Sequence, residues 1–296
     1  MRRKAEAGWL AWAPAVCLPV AGLMAMPDSW PGWAVMWTLS FSIFCGCKWL
    51  TWQAADRRHV AWSRQVAYFV AWPGLDAQNF FASPSETTSV DRPPVQEWIQ
   101  AAVKTLLGFV ILFGIPKWLP ADSPILTGWV GMVGIVMLLH FGCFHLLSCA
   151  WRARGVCARP LMDRPLLSVS VSEFWGRRWN TAFRDLTHRY LFRPLLPRVG
   201  AVPALCVGFV FSGLVHDLVI SWPARGGYGT PTLYFLIQGA GVLWERSRSG
   251  RSWGLGQGWR GWLFSCLVLL VPVKLLFHND CVQRVILPFM KVLGAV

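Results

Sequence analysis

Between Gly8 and Cys47 the chain carries a single charge, Asp28, set in a stretch of helix breakers, Met26-Pro-Asp-Ser-Trp-Pro-Gly32. A helix needs about 20 mostly apolar residues to cross the hydrocarbon core of a bilayer. The run therefore predicts two spans, 9–26 and 32–50, joined by a tight turn. The cationic start Met1-Arg-Arg-Lys4 has the outline of a signal peptide, but no small-x-small cleavage site precedes the second span, so the first run reads as a mature helix. Further apolar runs predict spans at 98–119, 124–150, 200–222, 231–245 and 260–277, with a last segment at 281–296 that carries Arg284 and Lys291. Only 14% of the residues are charged, against about 25% in soluble domains. An all-α, polytopic membrane bundle of about 7–9 transmembrane helices follows. Coiled-coil, disordered and soluble globular folds are excluded.

The few charges are unevenly placed. There are 28 Lys and Arg against 14 Asp and Glu, a formal +14. The cations cluster at the N-terminus, at 56–64, at 151–198 and at 246–260, whereas the linkers at 27–31, 120–124 and 223–230 hold few. Counting spans from a cytoplasmic N-terminus puts each basic loop on the cytoplasmic side, as the positive-inside rule requires. The clusters thus read as topology determinants facing anionic lipid rather than as a nucleic-acid surface. The spans suit a bacterial inner membrane and an endoplasmic-reticulum membrane equally. Nine cysteines form no CxxC pair and lack a nearby histidine at finger spacing, so neither a zinc site nor a disulfide framework is expected.

Two polar-aromatic stretches interrupt this pattern. Residues 62–81 are amphipathic and broken at Pro73-Gly74, which predicts a surface or re-entrant segment, and 82–97 read as a polar loop. The second stretch, Ser172-Glu-Phe-Trp-Gly-Arg-Arg-Trp-Asn180 and onward to Pro194, mixes aromatics with Arg177, Arg178, Arg184, Arg189 and Arg193. Ser172 is a candidate helix cap and Glu173 suits a first turn. A cationic helix in the headgroup plane accounts for the spacing. Two features ask for more. Asn180, among Trp175, Trp179 and Phe183, has an amide that needs partners, and the arginine forks match phosphate oxygens.

Inside an otherwise apolar span lies Phe209-Val-Phe-Ser-Gly-Leu-Val-His-Asp217. Ser212 and His216 are one helical turn apart on one face, and Gly213 leaves room for another backbone or a ligand. An ionisable residue at membrane depth marks a candidate site, set against a histidine merely hydrogen-bonded between helices. Asp217 points about 100° away, towards the end of the span or another helix. His140 and His145, five apart, fall on different faces, so no shared metal is expected. His59 and His188 stand in basic loops, and His278 reads as an interfacial turn.

The pair formed by Glu173-Phe-Trp-Gly-Arg-Arg-Trp-Asn180 and Ser212-Gly-Leu-Val-His-Asp217 resembles the wax-synthase branch of the membrane-bound O-acyltransferases. Tyr68-Phe-Val-Ala-Trp-Pro-Gly74, Pro160-Leu-Met-Asp-Arg-Pro165 and the ending around Phe277-His278 are similar to that branch as well, so the resemblance covers about 65–296. Asp217 departs from it, since the family more often has Glu after the histidine. The resemblance implies one acyltransferase domain over 1–296, with 1–60 as an N-terminal helical pair before the 65–296 core. It implies transfer of a fatty acyl group from acyl-CoA, a co-substrate, to a lipophilic alcohol, with no further cofactor and no metal.

On this expectation His216 is the general base and Asn180 steadies the thioester carbonyl. Arg177, Arg178 and Arg184 would bind the CoA phosphates, with Trp175, Trp179 and Ser212 beside the substrates. A sterol, terpenoid or diacylglycerol acceptor is the alternative within enzymes. A small transporter or lipid-binding scaffold is the alternative outside them. At about 1.5 Å per residue His216 lies about 24 Å along its helix, whereas Asn180 belongs to a basic loop. Either the 172–196 segment dips into the membrane or a tunnel joins the two.

Overall fold

The computed structural model describes residues 9–82 and 90–296, and among them every regular element is helical. The N-terminal cations Arg2, Arg3 and Lys4 and residues 83–89 of the 82–97 loop lie outside the described residues. The long helices are α1 (Ala13–Ala25), α2 (Gly32–Gln53), α3 (Val95–Trp118), α4 (Pro124–Ala153), α5 (Ala201–Ala224), α6 (Thr230–Arg246) and α7 (Gly258–Leu276). Four of them, α3, α4, α5 and α7, are long and apolar enough to cross a membrane. By these helices the protein is an integral membrane protein.

The remaining predicted spans are helical too, but they depart from a plain apolar rod. α1 is shorter than predicted because residues Trp9–Trp12 form a tighter 3₁₀ turn before it. α2 runs past its predicted end and buries Lys48. α6 carries the buried Gln238 and Glu245. Residues 279–292 form a last helix, with a π-helical turn at Val282–Ile286.

Side-chain bonds sort the helix ends into two groups. At one end Arg225 donates to the Asp28 carbonyl (3.1 Å) and Arg284 to those of Ala224 (3.2 Å) and Arg225 (3.1 Å). At the other, Trp151 donates to Ala71 O (2.9 Å), Ser148 to Ala158 O (2.7 Å), Arg246 to Ser172 Oγ (3.0 Å) and Trp262 to Leu166 O (2.9 Å). The cation-poor linkers meet at the first end and the basic segments at the second. Consecutive helices therefore alternate in direction.

Lipid tails are as apolar as leucine, so helices in a bilayer associate by close packing rather than by a hydrophobic drive. α3 and α4 use glycines for this. A Cβ on Gly134 would sit 2.7 Å from the Leu112 nitrogen, and one on Gly142 would sit 2.7 Å from the Thr105 Cα. Outward residues such as Phe41, Leu106, Leu214 and Leu267 stay exposed, as a lipid-facing surface must.

The amphipathic stretch forms two short helices, Trp62–Val70 and Ala77–Phe81, with the predicted break at Pro73-Gly74 between them. Its aromatic side packs on Leu50, Trp151 and Ala182. The end of α2 holds it: Lys48 Nζ donates to the carbonyls of Tyr68 (2.7 Å), Trp72 (2.6 Å) and Gly74 (2.6 Å) and lies 3.6 Å from the Tyr68 ring centre. Three acceptors and a π face take the place of a counter-ion.

Candidate active site

His216 ends the α-helical part of α5, and a π-helical turn, Asp217–Ser221, follows before the helix resumes at Trp222–Ala224. Its Nδ1 lies 2.7 Å from the Ser212 carbonyl oxygen. A carbonyl only accepts, so this bond puts the proton of the neutral ring on Nδ1 and leaves the lone pair on Nε2. The ring packs on Phe235 of α6, with centroids 4.5 Å apart. The Ser212 hydroxyl is used within its own helix, donating to Gly208 O at 2.9 Å. Gly213 makes room for a backbone: a Cβ there would lie 2.6 Å from the Thr232 Cα of α6.

Asp217 turns to another helix. Its Oδ1 accepts from Ser221 Oγ (3.0 Å) and Gly229 N (2.7 Å), and its Oδ2 accepts from the Thr232 N–H (3.1 Å) and hydroxyl. It thereby takes up N–H groups at the start of α6 that no intrahelical carbonyl can reach. It does not end α5, which continues to Ala224. Beside it, Leu214, Asp217, Thr232, Leu233 and Leu236 line a groove of about 380 Å³ on the outer face of α5 and α6.

The arginine-rich segment is not one surface helix. It breaks into Val171–Glu173, a π-helical stretch Phe174–Arg178, then Thr181–Thr187, His188–Phe192 and Arg193–Val199. The N-cap is Ser170, two residues before the predicted Ser172, and its Oγ accepts from Glu173 N at 2.9 Å. Glu173 reaches back to the Val169 N–H (2.8 Å), which makes a capping arrangement close to the S-x-x-E box. Burial works to raise the Glu173 carboxyl, but the Val169 N–H and the Arg178 guanidinium outweigh it and hold the group below its ordinary range.

From this start the segment enters the bundle. Trp175 meets Phe235 (5.4 Å) and Phe209 (6.4 Å), and its Nε1 donates to Gln238 Oε1 (3.4 Å). Trp179 stacks on Phe174 (5.4 Å) and touches Phe141 of α4 (6.1 Å). The segment thus packs its aromatic side chains against α5 and α6.

Asn180 terminates the π-helical stretch with φ 41° and ψ 62°, a left-handed conformation that asparagine tolerates better than most residues. Its Oδ1 caps the next helix by accepting from Phe183 N at 3.2 Å, which orients the amide and leaves the Nδ2 hydrogens as the free donors. Asn180 and His216 do not hydrogen-bond to each other. Aromatic rings join their surroundings: Phe183 stacks on Phe211 of α5 (6.4 Å), and Trp175 reaches Phe235, which touches His216.

The arginines divide. Arg178 donates through Nε to Glu173 Oε1 (2.8 Å), places Nη2 2.7 Å from the same oxygen, and donates through Nη1 to the carbonyls of Asp163 (3.2 Å) and Arg164 (3.4 Å). Arg177 is exposed, and Arg184 Nε lies 3.0 Å from Asp185.

Among the other histidines, His278 is buried and caps the final helix by accepting from Cys281 N (3.2 Å). His145 Nε2 lies 2.9 Å from Glu97, which also pairs with Arg152, and Lys104 Nζ is 3.5 Å from His145 Nδ1. Glu97, His145 and Cys149 offer metal-ligand atoms within 4.8 Å of one another, but Arg152 and Lys104 already occupy the carboxylate and the ring. His140 is not part of that group.

Residues 158–238, which contain both Asn180 and His216, match the family described as membrane bound O-acyl transferase. A probable long-chain-alcohol O-fatty-acyltransferase 1 of Arabidopsis thaliana is 23% identical over 58% of this chain and 52% of its own length. A second from the same plant, probable long-chain-alcohol O-fatty-acyltransferase 3, is 24% identical over 59% and 54%. The likeness to the membrane-bound O-acyltransferases, in their wax-synthase-like branch, thus includes the stretch that carries both residues. It spans about half the length of these curated relatives. An acyl-CoA–sterol O-acyltransferase 1, also from Arabidopsis thaliana, is 30% identical over a shorter stretch, 22% of this chain and 21% of its own. The segment that carries Asn180 and the helix that carries His216 are linked by the contacts of Trp175 and His216 with Phe235.

Proposed function

We propose that the protein transfers a fatty acyl group from acyl-CoA, its co-substrate, to the hydroxyl of a lipophilic alcohol, giving an ester and free CoA. The observation that carries this reading is the orientation of His216. The Ser212 carbonyl takes Nδ1–H, so Nε2 is the basic atom, inside a helix apolar enough to cross a membrane. In the proposed reaction Nε2 takes the hydroxyl proton as the alcohol oxygen attacks the thioester carbonyl. Asn180 Nδ2 donates to the carbonyl oxygen as it gains charge. The tetrahedral intermediate collapses with loss of the CoA thiolate, which takes the proton from His216 Nε2, so that free CoA thiol leaves and the ring is neutral again. Keeping water from the acyl chain protects the thioester from hydrolysis.

Arg177 and Arg184 are assigned to the CoA phosphates, while Arg178, whose nitrogens are already engaged, keeps the 171–178 turn in place. Trp175 and Trp179 wall the donor side, and Ser212 contributes its carbonyl rather than its hydroxyl. The bundle is taken to cross the membrane seven to nine times with the basic ends and the N-terminus in the cytoplasm, at a bacterial inner membrane or the endoplasmic reticulum. The helical pair within 1–60 and the 65–296 core work as one domain, in contact with membrane lipid. A sterol acceptor is a second reading, favoured by the sterol acyltransferase relative.

The test is reconstitution in proteoliposomes with long-chain acyl-CoA and a fatty alcohol. Ester and free CoA are expected in equal amounts, and neither from His216→Ala. Ester formation that persists in that variant removes the base. Competition between a fatty alcohol and a sterol assigns the acceptor.

A further inference from the structure

Thr232, Phe235, Gln238, Val242 and Glu245 recur every three or four residues and so share one face of α6. They cover about 20 Å at 1.5 Å per residue. Each meets one of the two segments that carry the proposed chemistry. Thr232 holds Asp217, next to His216. Phe235 lies between His216 and Trp175. Gln238 accepts from the Trp175 indole while its own amide donates to Val268 O at 2.8 Å. Val242 packs on Val171. Glu245, 4% exposed, accepts from Val171 N (2.8 Å) through one oxygen and from Ser172 N (2.9 Å) through the other.

The first N–H groups of a helix have no partner within it. Ser170 satisfies that of Glu173, and the other two reach across to Glu245. A buried carboxylate is costly unless hydrogen-bonded, so the arrangement holds only when Val171 and Ser172 stand at one height along α6. Three residues further on, that height decides where Trp175 meets Phe235.

We infer that this face of α6 sets the register between the 171–179 segment and the histidine helix, and that Glu245 is a positioning residue for the acyl transfer. The inference rests on the acyl-transfer reading above. Glu245 touches neither His216 nor Asn180; it acts through Val171, Ser172 and Trp175.

The experiment compares wild type, Glu245→Ala, Glu245→Gln and Gln238→Met in proteoliposomes, by amide hydrogen exchange and by steady-state kinetics. In Glu245→Ala, exchange at 171–173 is expected to rise about tenfold or more while 201–216 is unchanged. Its kcat should fall about 10- to 100-fold, with the KM for acyl-CoA within about threefold of wild type. Glu245→Gln retains one acceptor oxygen and should recover part of the kcat.

Faster exchange at 171–173 with unaltered kcat overturns the inference, because Glu245 is then a helix cap alone. A fall in kcat without the local exchange change overturns it as well. If Glu245→Ala does not fold, Gln238→Met decides, since it removes the indole's acceptor on the same face and leaves the helix start intact. A severalfold lower kcat supports the register, and an unaltered one overturns it. No ester from wild type would defeat the acyl-transfer reading and this role with it, whereas the exchange data would still reveal whether Glu245 holds the segment.

Discussion

His216 and Asn180 are oriented by the same kind of bond and supported in opposite ways. Each side chain is fixed by backbone of its own local helix, the ring by the Ser212 carbonyl and the amide by the Phe183 N–H. α5, however, is a long apolar helix that needs only packing against its neighbours. The Asn180 segment is short, twice π-helical and arginine-rich, and it depends on Ser170, Glu173, Arg178, Gln238 and Glu245 to stay inside the bundle. Substitutions around His216 should therefore act on chemistry, and those around Asn180 on chemistry and placement together.

The largest effect is expected at the histidine. His216→Ala should lower kcat by about 10²–10⁴, the usual worth of a general base, with an unchanged melting temperature. Asn180→Asp separates two roles of one side chain: it keeps an oxygen for the Phe183 N–H and tolerates the left-handed backbone, but it loses the donor. It should lower kcat about 10²- to 10³-fold with little change in melting, whereas Asn180→Ala should in addition lose about 1 kcal/mol of cap.

Arg177→Gln should raise the KM for acyl-CoA several-fold, less so at high salt, because an exposed cation is screened. Arg178→Gln should lower thermal stability instead, as its partners are in the protein. Acid should reveal the borrowed support. The carboxyl of Glu173 is held below its ordinary range in the folded state, so its stabilisation is present above that range and is lost as pH falls through the lowered value. Melting followed from about pH 6 to about pH 2 should show this loss in wild type and a flatter profile in Glu173→Gln. Ser212→Ala should change kcat least, within about threefold, because its hydroxyl serves only its own helix and such bonds are worth about 1 kcal/mol. A loss comparable with Asn180→Asp would mean that the hydroxyl reaches a substrate.

The helical runs and the Pro73-Gly74 break were legible because hydropathy and turn chemistry are local, whereas the pairing of Asn180 with His216 rested on the family resemblance. What these residues contact was not legible. Asp217 lies off the histidine face by helical geometry, but nothing near it in the chain tells that Thr232 receives it. Ser170 rather than Ser172 begins the helix because the choice depends on Glu245, more than seventy residues away. A signal existed for the elements that sequence reasoning passed over. Lys48, Gln238 and Glu245 are polar groups within or beside apolar runs, and the rule that singled out His216 applies to them equally. Passing over them within their spans hid both the Lys48 clamp and the organising face of α6.

Lys48 precedes the three carbonyls that receive it by 20, 24 and 26 residues. During synthesis the ammonium emerges first and its socket later. That end of α2 gains its acceptors only once the stretch to Gly74 has been made, so the last turn of the second helix and the neighbouring 62–81 segment settle as a single event.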